Sequence, residues 1–213
     1  ISVVNALSEF LKIETVREKK IYEQTVSRGK VKTKLRCLGP AGKRKGTTVF
    51  FKPDPVIFGD YISFSPTKLF QACESKAYLM SGLTVEWACL PDLITSDSIS
   101  ISETFYYPKG ITDFLEKKLG NHEGSNNRLF NGNIQFPSKT KNTANGSIEW
   151  AISWTTENSG FLKSFCNLIP TPEGGTHETG FWTAIIKGIK SYGDLIGNKK
   201  IALLVKEDLA QGL

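Results

Sequence analysis

A glycine-rich run towards the C-terminal end of the chain contains side chains that could act in acid–base chemistry or anion binding. Glu173, His177 and Glu178 are ionisable and surround Gly174-Gly175. A histidine can transfer protons near neutral pH, and a glycine turn before a helix can hold an anion at the helix N-terminus. Two structural interpretations stand beside these. The run could be a tight turn that lets a helix pack on a sheet, and the histidine could lack the partner that catalysis needs.

The flanking residues predict the elements that position this run. A strand over residues 161–169 should end at Pro170 and Pro172, because proline has no N–H for a strand ladder. Thr176 is a favourable N-cap for a following helix, and Gly193 is expected to cap its other end. Between them apolar residues recur at helical spacing, at Phe181, Ala184, Ile185, Ile189 and Tyr192. At least one of the two glycines should have a positive φ, since the chain reverses within a few residues.

A second candidate segment is a basic loop followed by a strand. The loop, residues 42–46, reads Gly-Lys-Arg-Lys-Gly. It could contact phosphate, or it could be the solvated tip of a hairpin. The strand after it places Thr47, Val49 and Phe51 on one face, because side chains alternate along a strand.

Composition favours a folded, basic protein. The chain has 213 residues, is 39% hydrophobic and carries a net charge of +6. These values argue against disorder and favour either a polyanionic partner such as nucleic acid or a merely solvated basic surface. No apolar run approaches the roughly 20 residues of a membrane span, so the default expectation is a cytoplasmic protein without a membrane partner.

The four cysteines predict neither a zinc site nor a disulfide framework. Cys37, Cys73, Cys89 and Cys166 form no C-x-x-C pair, and the chain has only two histidines. Reduced, buried thiols are therefore expected.

Hydrophobic periodicity and turn residues predict the remaining elements. Helices are expected over residues 1–9, 66–80 and 111–119, and strands over 10–17, 20–27, 33–38, 83–89, 129–136 and 148–155. A polar stretch at 91–98 suggests a domain boundary, and residues 120–127, with His122, predict a loop. In the strand at 148–155, Trp150 and Trp154 share a face with Ile152, which indicates either buried core or a surface on which nucleotides stack.

Several runs together resemble one protein family. Residues 172–181 match the P-E-G-G-T-H-E-x-G signature of the B subunits of bacterial type IIA topoisomerases. Residues 2–8, S-V-V-N-A-L-S, resemble the helix that follows the family's phosphate lid, and residues 46–49 match its G-T-x-V strand. The aromatic residues 105–107 before Gly110 resemble the start of the family's transducer domain.

The resemblance implies an α+β fold with a division near residues 97 and 98. Residues 1–97 would be the rear part of a Bergerat-type ATPase α/β sandwich, and residues 98–213 an incomplete transducer domain of the ribosomal protein S5 domain 2-like type. It also implies that the chain is an internal fragment of a larger protein. We expect the fragment alone to be inactive as an ATPase.

The resemblance also implies ligands and site residues. The intact protein would bind ATP and Mg²⁺, with Ile1, Ser2, Thr47 and Val49 as nucleotide contacts. No catalytic residue and no metal ligand is expected within this chain. The turn Glu173, Gly174, Gly175, Thr176 and His177 would be a mechanical joint of the transducer.

Within the family, the topoisomerase IV branch is the nearer match and gyrase the second. The distinction depends on Gly42-Lys43-Arg44 and on residues 167–171. The implied partners are DNA, the A subunit of topoisomerase IV and a second B subunit, in a cytoplasmic, nucleoid-associated enzyme that decatenates and relaxes DNA. An alternative of a different class is a non-enzymatic basic module that binds nucleic acid through a sheet.

Overall fold

The computed structural model describes residues 1–59, 62–120, 129–137, 145–154 and 161–210. The chain divides into two compact units, Ile1–Ser65 and Pro66–Leu213, which are treated separately below. No helix in these described ranges is long and apolar enough to cross a membrane. Residues 121–127 of the loop predicted at residues 120–127, with His122, lie outside the described residues.

The first unit is built on one antiparallel sheet. Its elements are α1 (Ser2–Ala6), β1 (Ser8–Arg17), β2 (Lys20–Ser27), β3 (Lys30–Val31), β4 (Arg36–Pro40), β5 (Thr47–Pro53) and α2 (Pro55–Phe58). The strand order is β3-β2-β1-β5, and β4 also pairs with β2. Among the described strands, β5 is therefore an edge of this sheet.

The strands predicted at residues 10–17 and 20–27 are confirmed, and they pair as an antiparallel hairpin. Arg17 pairs with Lys20 across the turn. Both intervening residues are left-handed, Glu18 with φ 51° and Lys19 with φ 59°. This is the conformation of a two-residue type I′ turn, whose twist matches that of the strands it joins.

Two boundary predictions in this unit are wrong. The helix predicted over residues 1–9 ends at Ala6, because Ser8 already pairs with Pro53 in the sheet. The strand predicted at 33–38 is found at Arg36–Pro40, where Pro40 lies opposite Lys20 in the ladder. Thr33 remains outside this strand, and its hydroxyl accepts a hydrogen bond from the Thr25 backbone N–H at 2.9 Å.

The core of the first unit is small. Its buried apolar residues are Leu11, Val26 and Ala41, and Leu11 and Val26 pair directly across β1 and β2. Large apolar side chains at Phe50 and Phe51 are exposed on β5. The sheet thus carries apolar surface that the described part of the unit does not cover.

The second unit combines three long helices with short strand pairs. Its elements are α3 (Pro66–Leu79), β6 (Thr84–Ala88), β7 (Ser102–Tyr106), α4 (Ile111–Leu119), β8 (Phe130–Phe136), β9 (Gly146–Ile152), β10 (Phe165–Cys166), β11 (Ile169–Pro170), α5 (Thr176–Leu195) and α6 (Lys206–Ala210), with 3-10 helices at Pro91–Leu93 and Lys199–Leu203. The strand pairs β6-β7, β8-β9 and β10-β11 are antiparallel. The helices predicted at 66–80 and 111–119 and the strand at 83–89 are confirmed.

An aromatic cluster forms the core of this unit. Its buried members are Ala77, Tyr78, Trp87, Phe105, Tyr107 and Phe114. The rings of Tyr78 and Phe114 lie 4.1 Å apart, centroid to centroid. Helices α3 and α4 therefore share one core with the β6-β7 pair. Residues 97 and 98 lie in the connection between β6 and β7. The domain boundary suggested there remains a prediction.

The strand carrying the two tryptophans differs from expectation. It covers Gly146–Ile152 rather than residues 148–155. Ile152 is buried, but Ile148 and Trp154 are exposed, so the face is only partly core. Trp154 lies beyond the end of the strand, and its indole N–H donates to the Leu209 carbonyl at 2.8 Å instead of packing on the sheet.

The strand predicted over residues 161–169 is wrong. The segment forms a hairpin of two-residue strands, in which Phe165 pairs with Pro170 and Cys166 with Ile169. Asn167 and Leu168 turn the chain with φ of 48° and 71°. A leucine with left-handed backbone angles is uncommon. The apolar run therefore gives no sign of a turn, and its pattern predicts one continuous strand.

Candidate functional site

The glycine turn before helix α5 is the first of two candidate sites. Gly174 has φ +71°, and its N–H donates to the Thr171 carbonyl at 2.9 Å. A Cβ at this position would lie 2.9 Å from Glu178 Oε2. The expectation that one of the two glycines has a positive φ is therefore confirmed, and Gly174 is that glycine.

The start of helix α5 differs from the prediction by one residue. Gly175, not Thr176, is the N-cap, and Thr176 is the first helical residue. Gly175 is extended at φ 165°, a conformation open to any residue. Its carbonyl accepts hydrogen bonds from the backbone N–H and the hydroxyl of Thr179, at 3.1 and 3.3 Å. The backbone bond is the first i to i+4 bond of the helix, and no side chain caps the free N–H groups of its first turn.

Polar side chains connect the turn to the hairpin that precedes it. The Ser164 and Thr171 hydroxyl oxygens lie 2.7 Å apart, and Thr171 Oγ1 lies 3.2 Å from His177 Nε2. The Ser164 hydroxyl also lies 3.4 Å from Glu178 Oε2. Sequence reasoning missed Ser164 and Thr171, which only the β10-β11 pairing brings opposite each other.

This network supports a structural role better than a catalytic one. The imidazole of His177 is exposed and meets a threonine hydroxyl, while the nearby carboxylate of Glu178 is directed to Ser164. A base that acts on a nucleophile needs a third group to orient it. Anion binding is also disfavoured, because Glu178 already places a carboxylate beside the first turn of α5, where the helix dipole favours negative charge.

Helix α3 contacts the β10-β11 hairpin that precedes the glycine turn. The Lys76 ammonium donates to the Leu168 carbonyl at 2.7 Å, a hydrogen bond between residues 92 positions apart. The Phe165 ring lies 5.9 Å from that of Tyr78 in the aromatic cluster. The turn is thus fixed to the core of the second unit through its hairpin.

The second candidate site is the exposed face of β5. The Thr47 hydroxyl lies 2.9 Å from the Thr15 hydroxyl on β1, and Val49 pairs with Ile13. Thr47 and Val49 point to the same side of the sheet, and Val49 is 40% exposed. The structure therefore presents a hydroxyl and a branched apolar group side by side, and their role as nucleotide contacts stays a prediction.

Ile1 and Ser2 do not join these residues. Both are exposed at the start of α1, which leads directly into Ser8 at the Pro53 end of β5. Thr47 pairs with Thr15, at the opposite end. Thr15 follows Ser8 by seven positions, which correspond to about 24 Å of strand at roughly 3.4 Å per residue. Ile1 and Ser2 could thus share a ligand with Thr47 only if that ligand is extended.

The basic loop at residues 42–46 is partly engaged within the chain. Arg44 Nη2 donates to Glu14 Oε2 at 3.0 Å, and Lys12 Nζ lies 3.0 Å from Glu14 Oε1. Hydrogen bonds from Lys12 and Arg44 hold the pKa of the Glu14 carboxyl below its usual value. Phosphate binding is disfavoured, since Arg44 already has an anionic partner. The loop is solvated as the alternative expects, but it is not the tip of a hairpin, because β4 before it pairs with β2 and β5 after it pairs with β1.

An ion pair that sequence reasoning missed ties β5 to the β2–β3 turn. Arg28 Nε and Nη2 donate to the two carboxylate oxygens of Asp54 at 2.6 and 3.1 Å. The same carboxylate accepts from the Val56 N–H at 3.1 Å and so caps α2. The sequence signals only a proline-flanked turn at this point, because the partner lies 26 residues away.

The described residues contain no group of three His, Cys, Asp or Glu side chains that could hold a metal ion. The four cysteines are free thiols. The expectation that all are buried is wrong, because Cys37 and Cys166 are exposed and Cys73 and Cys89 are only half-buried. Cys166 lies in the short β10 strand, which leaves it at the surface.

Comparison with known proteins gives one consistent family. The family model described as DNA gyrase B matches residues 110–213. The B subunit of DNA topoisomerase 4 from Bartonella bacilliformis is 40% identical over 210 residues, which are 98% of this chain and 30% of that protein. The B subunit of DNA gyrase from Thermotoga maritima is 35% identical over 213 residues, 100% of this chain and 31% of that protein. The chain therefore spans about a third of the length of these relatives.

The fold has a counterpart among solved structures. The 43K ATPase domain of Thermus thermophilus gyrase B, solved with an aminocoumarin, matches with a TM-score of 0.71 at 31% identity. The match covers 99% of this chain and 54% of that one. The resemblance to B subunits of type IIA topoisomerases and the predicted α+β fold are confirmed.

Proposed function

We propose that this chain is part of the ATP-driven B subunit of a type IIA DNA topoisomerase, of the topoisomerase IV branch. The observation that carries the proposal is the similarity along almost the whole chain, at 40% identity to a topoisomerase IV relative and 35% to a gyrase relative. In the intact enzyme this polypeptide would couple ATP binding and hydrolysis to the passage of one DNA segment through another. Gyrase is the second candidate, supported by the gyrase family model.

The nucleotide contacts in this proposal are Thr47 and Val49, with Ile1 and Ser2 near the phosphates. A hydroxyl can orient a ring nitrogen, directly or through water, while a branched apolar side chain packs on the face of a purine. The separation of α1 from Thr47 along the β1–β5 ladder suits an extended ligand such as ATP. In this proposal Mg²⁺ accompanies the nucleotide.

The turn Glu173, Gly174, Gly175, Thr176 and His177 is proposed as a joint of the transducer, within a domain that begins near residue 98. Support comes from its bonds to Ser164 and Thr171 and from the Lys76 hydrogen bond that fixes the adjoining hairpin. An element held between two other elements can pass a change of one to the other. The remaining partners in this proposal are DNA, the A subunit and a second B subunit, in the cytoplasm near the nucleoid.

The nucleotide part of the proposal is tested by Thr47→Val in the intact protein. We expect ATP binding to weaken by about 0.5–1.5 kcal/mol, the usual net contribution of one hydrogen bond. Isothermal titration calorimetry with a non-hydrolysable ATP analogue measures the change. Thr15→Val is the matched control, because it removes the same Thr15–Thr47 hydrogen bond and leaves the Thr47 hydroxyl in place. Equal affinities for the wild type and Thr47→Val, with the fold intact, would exclude this role.

The branch and the class are tested by activity. The intact B subunit with its A subunit should unlink DNA catenanes when ATP is present, and it should not introduce negative supercoils. ATP-dependent supercoiling would favour gyrase. Salt-sensitive DNA binding without any response to ATP would favour the non-enzymatic basic module.

A further inference from the structure

The turn of the β10-β11 hairpin departs from the sequence that such turns favour. Asn167 and Leu168 form the turn, with φ of 48° and 71°. Cys166 and Ile169 pair directly on either side of it. A two-residue turn of this kind favours asparagine followed by glycine. Leucine is disfavoured in left-handed backbone, because its Cβ meets the following carbonyl oxygen. The conformation of Leu168 therefore requires stabilisation from its surroundings.

The hairpin itself gives little of this stabilisation. Each of its strands has two residues, and Pro170 has no N–H to donate to the ladder. Ile169 is 66% exposed, so it adds little apolar burial. Even a longer two-stranded hairpin is at best marginally stable in water. Contacts with another element must therefore hold the turn.

Lys76 of helix α3 makes such a contact at the strained residue. Its ammonium donates a hydrogen bond of 2.7 Å to the carbonyl of Leu168. Hydrogen bonds from a charged donor are shorter and stronger than neutral ones. None of the described carboxylates forms an ion pair with Lys76 and competes for this donor. Two residues further along α3, the Tyr78 ring lies 5.9 Å from the ring of Phe165. The hairpin thus contacts α3 at two points, one polar and one aromatic.

The position of Lys76 in the chain connects two segments of the second unit. Helix α3 begins at Pro66, the first residue of that unit. The hairpin leads into the glycine turn through two backbone hydrogen bonds of 2.9 Å. The Thr171 N–H donates to the Ser164 carbonyl, and the Gly174 N–H donates to the Thr171 carbonyl. A change in the hairpin therefore reaches the glycine turn directly.

We propose that Lys76 is a positioning residue of the transducer, which holds the Asn167-Leu168 turn in its left-handed form and so fixes the glycine turn before α5. The part of this inference that concerns catalysis rests on the proposed function. The hairpin then has two states, a strained turn with the Lys76 bond and a relaxed turn without it. Strained backbone persists at switch regions, where one contact can decide between two states. Leu168→Gly removes the strain, since glycine adopts a positive φ freely, and with it the need for Lys76.

The structural part is tested by hydrogen exchange of the intact B subunit, measured by mass spectrometry over residues 164–175. Lys76→Met keeps an unbranched side chain and removes the donor. The amides of this segment, with Thr171 and Gly174 among them, should exchange about tenfold faster, because loss of a hydrogen bond to a charged group permits local opening. Adding Leu168→Gly should return the rate to within about twofold of the wild type.

Lys109→Met is the matched control. Lys109 lies in the same unit, and its exposed ammonium has no hydrogen-bond or ion-pair partner among the described residues. This variant makes the same chemical change without removing a contact. It should leave the exchange of residues 164–175 unchanged.

The catalytic part is tested with the A subunit present. In Lys76→Met, ATP-dependent unlinking of catenanes should slow about tenfold, while the affinity for a non-hydrolysable ATP analogue stays within about twofold of the wild type. The ATP consumed per unlinked catenane should rise, because hydrolysis is less well coupled to passage. Adding Leu168→Gly should restore most of the unlinking rate. A merely structural loss would instead lower ATP affinity, hydrolysis and unlinking together, and that result would overturn the role in coupling.

The other contrary outcomes are distinct from one another. Unchanged exchange in Lys76→Met would show that this bond does not hold the turn. A double variant that exchanges as fast as Lys76→Met would show that Lys76 does not offset backbone strain at Leu168. Faster exchange with normal unlinking would show that the turn has no part in coupling. A wild-type enzyme that unlinks no DNA with ATP would overturn the proposed function and the catalytic part together, while hydrogen exchange would still decide whether Lys76 holds the turn.

Discussion

Asp54 shows how one side chain can secure two elements of the first unit. It is 2% exposed, it receives two hydrogen bonds from Arg28, and it caps helix α2 through Val56. The Arg28 hydrogen bonds, with help from the Val56 N–H, hold the pKa of the Asp54 carboxyl below its usual value. The ionised form is therefore favoured by folding, and its contribution to stability must depend on pH.

Because the folded-state pKa is lowered, this contribution is present above the unfolded pKa of about 4 and is lost as pH falls through the folded value. Asp54→Asn should lower the urea midpoint at pH 7, and the difference from the wild type should shrink below about pH 4. Urea unfolding followed by far-UV circular dichroism, at several pH values from about 3 to 7, measures this. Glu14→Gln is the control, since the Glu14 side chain is 19% exposed against 3% for Asp54, and more exposed ion pairs contribute less to stability. A constant difference across this pH range would contradict the role of the charge.

The two adjacent glycines of the turn should respond differently to alanine. Gly174→Ala forces a left-handed alanine and should lower the free energy of unfolding by about 1 kcal/mol. Gly175→Ala keeps an allowed extended backbone, and its Cβ meets only the side-chain ring of His177, at 2.9 Å. It should therefore cost less. Urea unfolding of the two variants side by side measures the difference, and equal losses would show that backbone strain is not what fixes the turn.

At the scale of elements, Gly193 allows helix α5 to pack closely against a neighbouring element, although the sequence predicts it as a helix cap. The pattern predicts that Gly193 ends the helix, but the helix continues to Leu195 and Gly193 is buried. A Cβ there would lie 2.7 Å from the Ile201 side chain, in the 3-10 helix Lys199–Leu203. The prediction of a C-cap is wrong. Gly193 lies inside the helix, and its lack of a side chain leaves room for Ile201 of the 3-10 helix.

This contact predicts opposite effects of two alanines in one helix. Gly193→Ala should destabilise the protein by about 1–3 kcal/mol, as overpacking does. Gly188→Ala should stabilise it by up to about 1 kcal/mol, because its Cβ would meet nothing within 4 Å in the described structure and alanine favours helix. Thermal unfolding of both variants is the measurement. A stabilising Gly193→Ala would show that α5 and the 3-10 helix are not packed as described.

Local patterns predict some elements well and others poorly, and the difference has a physical cause. The β1–β2 hairpin follows from strand alternation and the turn at Glu18 and Lys19, all close together in the chain. The hairpin at Asn167 and Leu168 depends instead on a hydrogen bond from Lys76 on α3.

The candidate sites divide in the same way. The positive φ within the glycine pair and the shared face of Thr47 and Val49 follow from local rules of turn and strand geometry. Ser164 and Thr171 do not, since their contact requires the short β10-β11 hairpin, where the apolar pattern predicts one strand.

For the whole molecule, the two units bury their apolar residues to different extents. The second unit has a continuous aromatic cluster around Tyr78 and Phe114. The first buries Leu11, Val26 and Ala41 while Phe50 and Phe51 stay exposed. A hydrophobic content of 39% predicts that the chain folds around apolar residues. The hydrophobic content alone does not predict which apolar surfaces, such as Phe50 and Phe51, stay exposed.

The edge position of β5 has a consequence for how this protein behaves in a crowded solution. Residues 47–51, Thr-Thr-Val-Phe-Phe, are uncharged, rich in β-formers and exposed on an outer strand. Such a stretch can recruit strands from other chains and seed aggregation. Lys52 and Pro53 follow at once, and a charge and a proline are residues that oppose this growth. The strand proposed to face the nucleotide is thus also the one most in need of protection while the chain is being synthesised.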